Sequence, residues 1–169
     1  MTQSVFLHPG KFYFAEGPAR IQTILGSCVS FTMRDPISGL AAMCHCVLPQ
    51  MPEAGDTSED VRFRYVDTSL STLLAEFLNH GVPADRLEIK LFGGSNVLES
   101  ISGERAIGSM NWRQAKRSIE QLSLSLRAHD VGGEIGRRLI FTTTTGEVLV
   151  KMLGPAPRTE RHQKGRIRG

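Results

Sequence analysis

The sequence predicts an α+β protein built from mixed or antiparallel β-sheets with two main helices. Three observations carry this: short β-branched and aromatic runs recur along the chain, two segments carry an extended helical stripe, and the two kinds of segment do not alternate as regular βαβ units. "KFYFA" is the first strand; "RIQTILGSCVSFTMRD" follows, interrupted at Gly26-Ser27, and "GLAAMCHCVLP" is a third that stops at Pro49. From Gln50 to about Arg62, proline, glycine and acidic residues predict a long surface loop. Between Tyr65 and His80, the apolar residues Val66, Leu70, Leu73, Leu74, Phe77 and Leu78 step by three and four along one helix face, and Gly81 and Pro83 end it. "RLEIKLFGG" reads as a strand entering a tight turn at Gly93-Gly94. After a flexible "ESISGERAIGSM", Asn111 is the expected N-cap of a second helix with the buried stripe Ala115, Ile119, Leu122 and Leu126. "RRLIFTTTTGEVLVKML" supplies two strands meeting near Thr145-Gly146 as a hairpin.

The chain has 169 residues, of which 40% are hydrophobic, enough for one domain, expected over residues 1–153, to bury its own core. Three cysteines, two of them only two positions apart (Cys44 and Cys46), argue against a secreted disulfide framework and for reduced thiols in the cytoplasm. The N-terminus lacks a basic and apolar leader, and no run approaches the ~20 apolar residues of a membrane span. The net charge of +3 is uneven: residues 154–169 carry +4, from Arg158, Arg161, Lys164, Arg166 and Arg168 against Glu160. This Pro-, Gly- and Arg-rich end has too little apolar surface to offset its ordering entropy and is expected to be a disordered tail. A solvated terminus is favoured there over a nucleic-acid contact.

The candidate chemistry lies in "ILGSCVSF" and "MCHCV". The strands flanking "RDPISG" form a hairpin, since Asp-Pro opens turns and Gly39 can close them. With a loop from Asp35 to Ser38, Arg34 faces Gly39, paired residue numbers sum to 73, and Cys28 lies directly opposite His45. Opposed side chains share a face with Cβ atoms roughly 4.5 to 5.5 Å apart. An imidazole so placed takes the thiol proton, giving the thiolate-imidazolium pair of a cysteine nucleophile. Gly26 and Ser27 leave room for an acyl group, and the Cys28 amide is a candidate oxyanion donor. A zinc site in "CHC" is disfavoured, because alternation points His45 away from Cys44 and Cys46, which are then ordinary core residues. His8, His80, His129 and His162 lack a comparable partner and are expected at the surface or in caps.

These residues resemble a known family. "LGSCVSFTMRDPISGLAAMCHCVLP" is similar to the signature of the CheD chemoreceptor glutamine deamidases, and the likeness continues in "YVD", "KLFGGSNVL", "IGSMN" and "DVGGEIGRRLIFTTTTGEVLVKML". The resemblance implies a layered fold like the deamidase domain of cytotoxic necrotizing factor, and catalytic logic like that of papain-type cysteine hydrolases. It implies conversion of specific glutamines of methyl-accepting chemotaxis receptors to glutamate, with Cys28 attacking the carboxamide carbon, His45 carrying the proton to departing ammonia, and water resolving a thioester. No metal or organic cofactor is implied. A threonine shortly before the cysteine orients the histidine in the family; here Thr23 is the candidate, with Gln22 as the alternative one residue earlier. Ser95 and Asn96 are turn residues or substrate contacts. The competing readings are a regulatory binding module acting through a CheC-type phosphatase or a receptor without turnover, and a peptidase or transglutaminase with the same dyad.

Overall fold

The computed structural model describes residues 1–55, 58–98 and 103–154. The basic tail, apart from Gly154, and residues 99–102 of the expected flexible stretch lie outside the described residues. The strands are β1 (Gln3–Phe6), β2 (Phe12–Ala15), β3 (Ala19–Leu25), β4 (Val29–Arg34), β5 (Ala41–Cys44), β6 (Glu88–Gly93), β7 (Leu126–Val131), β8 (Arg137–Thr142) and β9 (Glu147–Met152). The helices are α1 (Glu59–Arg62), α2 (Val66–Asn79) and α3 (Ile107–Gln121). One sheet has the order β1-β3-β8-β9 and the other β2-β5-β4-β6-β7. Both are mixed, because β1 runs parallel to β3 and β6 parallel to β7 while the other pairs are antiparallel.

The sheets and helices stack in three layers, which follows from where the apolar side chains go. On one face of the five-stranded sheet, Val29, Phe31 and Met33 of β4 pack against Leu70, Leu73 and Phe77 of α2 and Ala115 and Ile119 of α3. On the other face, Ala41, Met43 and Phe92 pack against Ile21, Leu25, Leu139 and Phe141 of the four-stranded sheet. A central strand covered on both sides needs no polar face, so β4 is buried along almost its whole length. β3 instead alternates, with Ala19, Ile21, Thr23 and Leu25 turned inward and Gln22 on the opposite face. No helix among the described residues is long and apolar enough to cross a membrane.

The Gly26-Ser27 interruption turns out to be a change of layer: β3 ends in one sheet and β4 begins in the other. Cys28, just before β4, therefore sits where the chain passes between layers. The hairpin register also differs from the expected one. Arg34 pairs with Ala41 and Val29 bridges Cys46, so paired numbers sum to 75 and the residue opposite Cys28 by register is Val47, not His45. Asp35 belongs to the ladder, its N–H donating to the Leu40 carbonyl at 2.9 Å, and Gly39 stays inside the turn at φ +81°, a left-handed conformation that glycine adopts without strain. Arg86 pairs with Asp35, whose carboxylate also accepts from the Ile37 and Ser38 amides. That network fixes the turn one residue further along than the Asp-Pro signal implied.

Other boundaries moved for similar reasons. Helix α3 starts at Ile107 with Ala106 as its N-cap, so Asn111 is an interior residue rather than the cap. Leu122 is the C-cap of α3 and Leu126 opens β7, so the expected stripe ends at Ile119. The expected loop from Gln50 contains the short helix α1. Strands β1 and β7 escape the sequence pattern because their mostly exposed side chains show no apolar alternation. His80 caps α2, its Nδ1 lying 2.8 Å from the Glu76 carbonyl.

Candidate active site

Because the register differs from expectation by two residues, an even number, Cys28 and His45 still share a face. His45 is opposite Ser30 by register and diagonal to Cys28. Diagonal neighbours have Cα atoms about 7 to 8 Å apart, within reach of an aromatic side chain. Both face the layer between the two sheets, where Cys28 is half-buried against the inter-sheet cluster and His45 is 2% exposed.

Across that layer, Thr23 of β3 places its Oγ1 2.8 Å from His45 Nδ1 and 2.7 Å from the Leu7 carbonyl oxygen. A threonine hydroxyl has one proton, and a carbonyl can only accept, so that proton goes to Leu7. At the ring, Oγ1 then accepts, Nδ1 carries the hydrogen, and Nε2 of the neutral imidazole holds a lone pair. Nε2 is buried and has no hydrogen-bond partner among the described residues. Gln22 lies on the other face of β3 and contributes its carbonyl to the Leu7 amide, so its side chain is not the one beside the ring.

Burial sets the charge state. It pushes the His45 pKa down to about 4, with the positive field of His8 acting the same way and the Leu7 carbonyl acting against it. It pushes the Cys28 thiol up, opposed by the hydrogen bond from the residue's own backbone amide. Both shifts favour the uncharged forms. Burial at both groups thus works against the thiolate-imidazolium pair expected from the sequence.

The backbone around Cys28 is held from three sides. A Cβ on Gly93, whose φ is +104°, would come within 2.2 Å of the Cys28 carbonyl oxygen, so only glycine fits there. That carbonyl accepts from the Gly94 amide at 2.8 Å, and the Gly26 carbonyl accepts from Ser95 at 3.0 Å. From α3, Asn111 Nδ2 donates to the Ser27 carbonyl at 2.8 Å and to the Val47 carbonyl at 2.9 Å. Below, the buried Arg137 donates to Asp130 Oδ1 at 2.6 Å, to Ser95 Oγ at 2.9 Å and to the Asp130 and Gly132 carbonyls. Ser95 and Asn96, open as substrate contacts in sequence, are engaged here: Ser95 Oγ lies 2.7 Å from the Ile135 carbonyl and Asn96 Nδ2 donates to Ser109 Oγ at 2.9 Å. Beside Ser27 opens an apolar pocket of about 170 Å³, walled by Val47, Leu48, Val97, Leu98 and Ile107. Gly26 borders Val97 at ordinary contact distance, so crowding does not require a glycine there.

Cys44 and Cys46 face the other way, into the helix-side core. They are fully buried, their Sγ atoms lie 3.6 Å apart, and burial drives the Cys46 thiol well up. Two residues beside the site are not assigned to it by the sequence, Asn111 being expected there only as an N-cap. Asn111 falls on the same helical stripe as Ala115 and Ile119, and a polar residue on an apolar stripe was the available signal. Arg137 had no such signal, since its carbonyl partners, Asp130 and Gly132, lie at the end of β7, a strand that pattern does not place.

Residues 47–152 match the family model described as CheD chemotactic sensory transduction. That match begins after His45, so it contains neither Cys28 nor His45. Relatives cover more of the chain. A protein of Geobacter sulfurreducens named probable chemoreceptor glutamine deamidase CheD 2 is 45% identical over 88% of this chain and 89% of its own length. A probable chemoreceptor glutamine deamidase CheD of Maridesulfovibrio salexigens is 39% identical over 88% and 91%, and the chemoreceptor glutamine deamidase CheD of Thermotoga maritima is 34% identical over 89% and 93%. With the model spanning more than half of the sequence and these relatives covered nearly end to end, the chain belongs to the CheD family.

Proposed function

We propose that this protein is a cysteine-dependent amidohydrolase that deamidates glutamine side chains of methyl-accepting chemotaxis receptors, with Cys28 as nucleophile, His45 as general base and acid, and Thr23 as the residue that orients His45. The observation that carries the reading is the His45 ring: Nδ1 is held by Thr23 Oγ1 at 2.8 Å, while Nε2 is buried, unpartnered and on the face of Cys28. Family membership supplies the substrate class.

The chemistry runs from the neutral pair. As a carboxamide enters, Cys28 Sγ attacks its carbon and the thiol proton passes to His45 Nε2; burial of the charges is offset because the imidazolium and the new oxyanion form together. The Cys28 N–H, beside Ser27 and Gly26, stabilises the oxyanion. The tetrahedral species collapses as Nε2–H protonates the leaving nitrogen, releasing ammonia and leaving a γ-glutamyl thioester. Water then attacks the thioester, giving its proton to Nε2, and the second collapse returns that proton to sulfur. One carboxamide and one water become one carboxylic acid and one ammonia. The acid ionises and adds a negative charge to the receptor.

A receptor cytoplasmic fragment incubated with wild-type protein and with C28A tests this: each converted glutamine adds about one dalton, and a thiol exchanged for a methyl should lower the rate by on the order of a thousandfold or more. Equal conversion by C28A would remove Cys28 from the mechanism. Backbone cleavage or amine incorporation would indicate the peptidase or transglutaminase reading. Capture of receptor or of a CheC-type phosphatase with no conversion by either protein would leave a binding module.

A further inference from the structure

The β4–β5 ladder stops at the Val29–Cys46 bridge, one pair short of the nucleophile. Beyond it the Ser27 and Val47 carbonyls would have no cross-strand amide, and the Asn111 carboxamide spans both at 2.8 and 2.9 Å. The fork can point only one way, because two carbonyls require two N–H donors. Asn111 is fully buried, and its own Oδ1 has no partner among the described residues. Leaving a buried amide oxygen unpaired is costly. Bracing two strand ends at that cost calls for a return elsewhere.

The return lies in the peptide plane between Ser27 and Cys28. The bond is trans, so its C=O and N–H point in opposite directions. Asn111 holds the Ser27 oxygen toward α3, which turns the Cys28 N–H away from the helix and back toward its own sulfur. That amide donates to no carbonyl among the described residues and instead interacts with the Cys28 thiol. Helix α3 comes close enough to do this because Gly108 is pressed on the Ser95 carbonyl, where a Cβ would lie 2.3 Å from the oxygen.

We infer that Asn111 is a positioning residue for the oxyanion site: by fixing the Ser27 carbonyl it aims the Cys28 amide at the oxygen that becomes negative when sulfur adds to the substrate carboxamide. Asn111 is fully buried and reaches the site through the Ser27 and Val47 carbonyls, so it acts through the backbone. The inference rests on Cys28 being the nucleophile.

The experiment separates two reactions of one thiol. Iodoacetamide alkylates sulfur by displacement at a saturated carbon and needs no oxyanion donor, whereas deamidation does. Wild type, C28A, N111A and the isosteric N111D are compared for kcat and KM on the receptor fragment, for the rate of Cys28 alkylation, and for thermal unfolding. Loss of an aimed donor should lower kcat by on the order of tenfold to a hundredfold in both Asn111 variants. KM should change by no more than about twofold to threefold, and alkylation should move far less than kcat, since displacement at a saturated carbon needs no oxyanion donor and the amide's contact is the lesser influence on the thiol. N111D presents oxygens to two carbonyls and should fall at least as far as N111A. Unchanged kcat in both variants overturns the inference alone. A parallel fall in alkylation and kcat also overturns it, because the whole cleft has then loosened. If C28A deamidates like wild type, the proposed function fails and takes the inference with it.

Discussion

Consecutive residues at the end of β5 live in opposite worlds. His45 points between the sheets, with one ring nitrogen held by Thr23 and the other bare, on the same face as a half-buried thiol. Cys44 and Cys46, one position to either side, point into the helix-side core and touch each other at 3.6 Å. The chain carries three thiols, and the comparison shows what separates a candidate nucleophile from packing material. A buried thiol in apolar surroundings has a raised pKa and no route for its proton, so it is inert. Cys28 also has a raised pKa, but it is only half-buried and shares its sheet face with the His45 imidazole, the proton acceptor proposed for it.

The largest break in that comparison should come from His45. H45A is expected to lower kcat by about a hundredfold to ten-thousandfold, measured as ammonia release. It should also remove an acid-sensitive contribution to stability. The folded pKa of His45, about 4, lies below the ordinary value of 6.5, so the unfolded chain takes up the proton first. This contribution is fully present above pH 6.5 and is lost as pH falls through 4, with roughly 3 kcal/mol as its upper bound. Denaturant midpoints between pH 7 and pH 4 should therefore fall less steeply for H45A than for wild type. An equal slope would mean that His45 titrates as an exposed imidazole.

A smaller effect is expected at Thr23. T23V keeps the shape but removes the acceptor that fixes the proton on Nδ1, and should lower kcat by about tenfold to a hundredfold, the usual range for a residue orienting a functional histidine. T23S should recover most of it. If T23V keeps full kcat while T23S is impaired, the β-branched shape of Thr23 matters and its hydroxyl does not.

The smallest effects belong to the other face. C44A and C46A should each retain kcat within about twofold while losing about 1 kcal/mol of stability in denaturant melts, the typical cost of a modest core change. In the native protein, thiol labelling should reach Cys28 and spare the other two until unfolding. Loss of deamidation in C46A without loss of stability would erase the distinction between the faces.

Much of the site was legible because β-structure has a period of two. Alternation alone separates His45 from its two cysteine neighbours and puts Thr23 and Gln22 on opposite faces of their strand, but which of the two turns inward came only with the packed sheets. The partner across the hairpin was not legible. Asp-Pro and Gly39 announce a turn but not whether Asp35 belongs to the loop or to the ladder, and Arg86, 51 residues further on, takes part in that decision. The error was even in residues, so it exchanged an opposed pair for a diagonal one and kept the face. Asn111 was lost because its helix begins in "IGSMN", where buried polar residues hide the periodicity that marks a helix start.

The sequence determined the strand faces, the long helix α2, the break at Gly26-Ser27 and the identity of the residues that meet there, because these follow from local geometry and from side-chain alternation. The tertiary structure decided which sheet each half of the broken strand joins, the hairpin register, the burial of His45 and half-burial of Cys28 between the sheets, and the grip of Asn111 and Arg137 on neighbouring carbonyls. Those are fixed by contacts between distant segments and by removal from water, and no short stretch of sequence contains either.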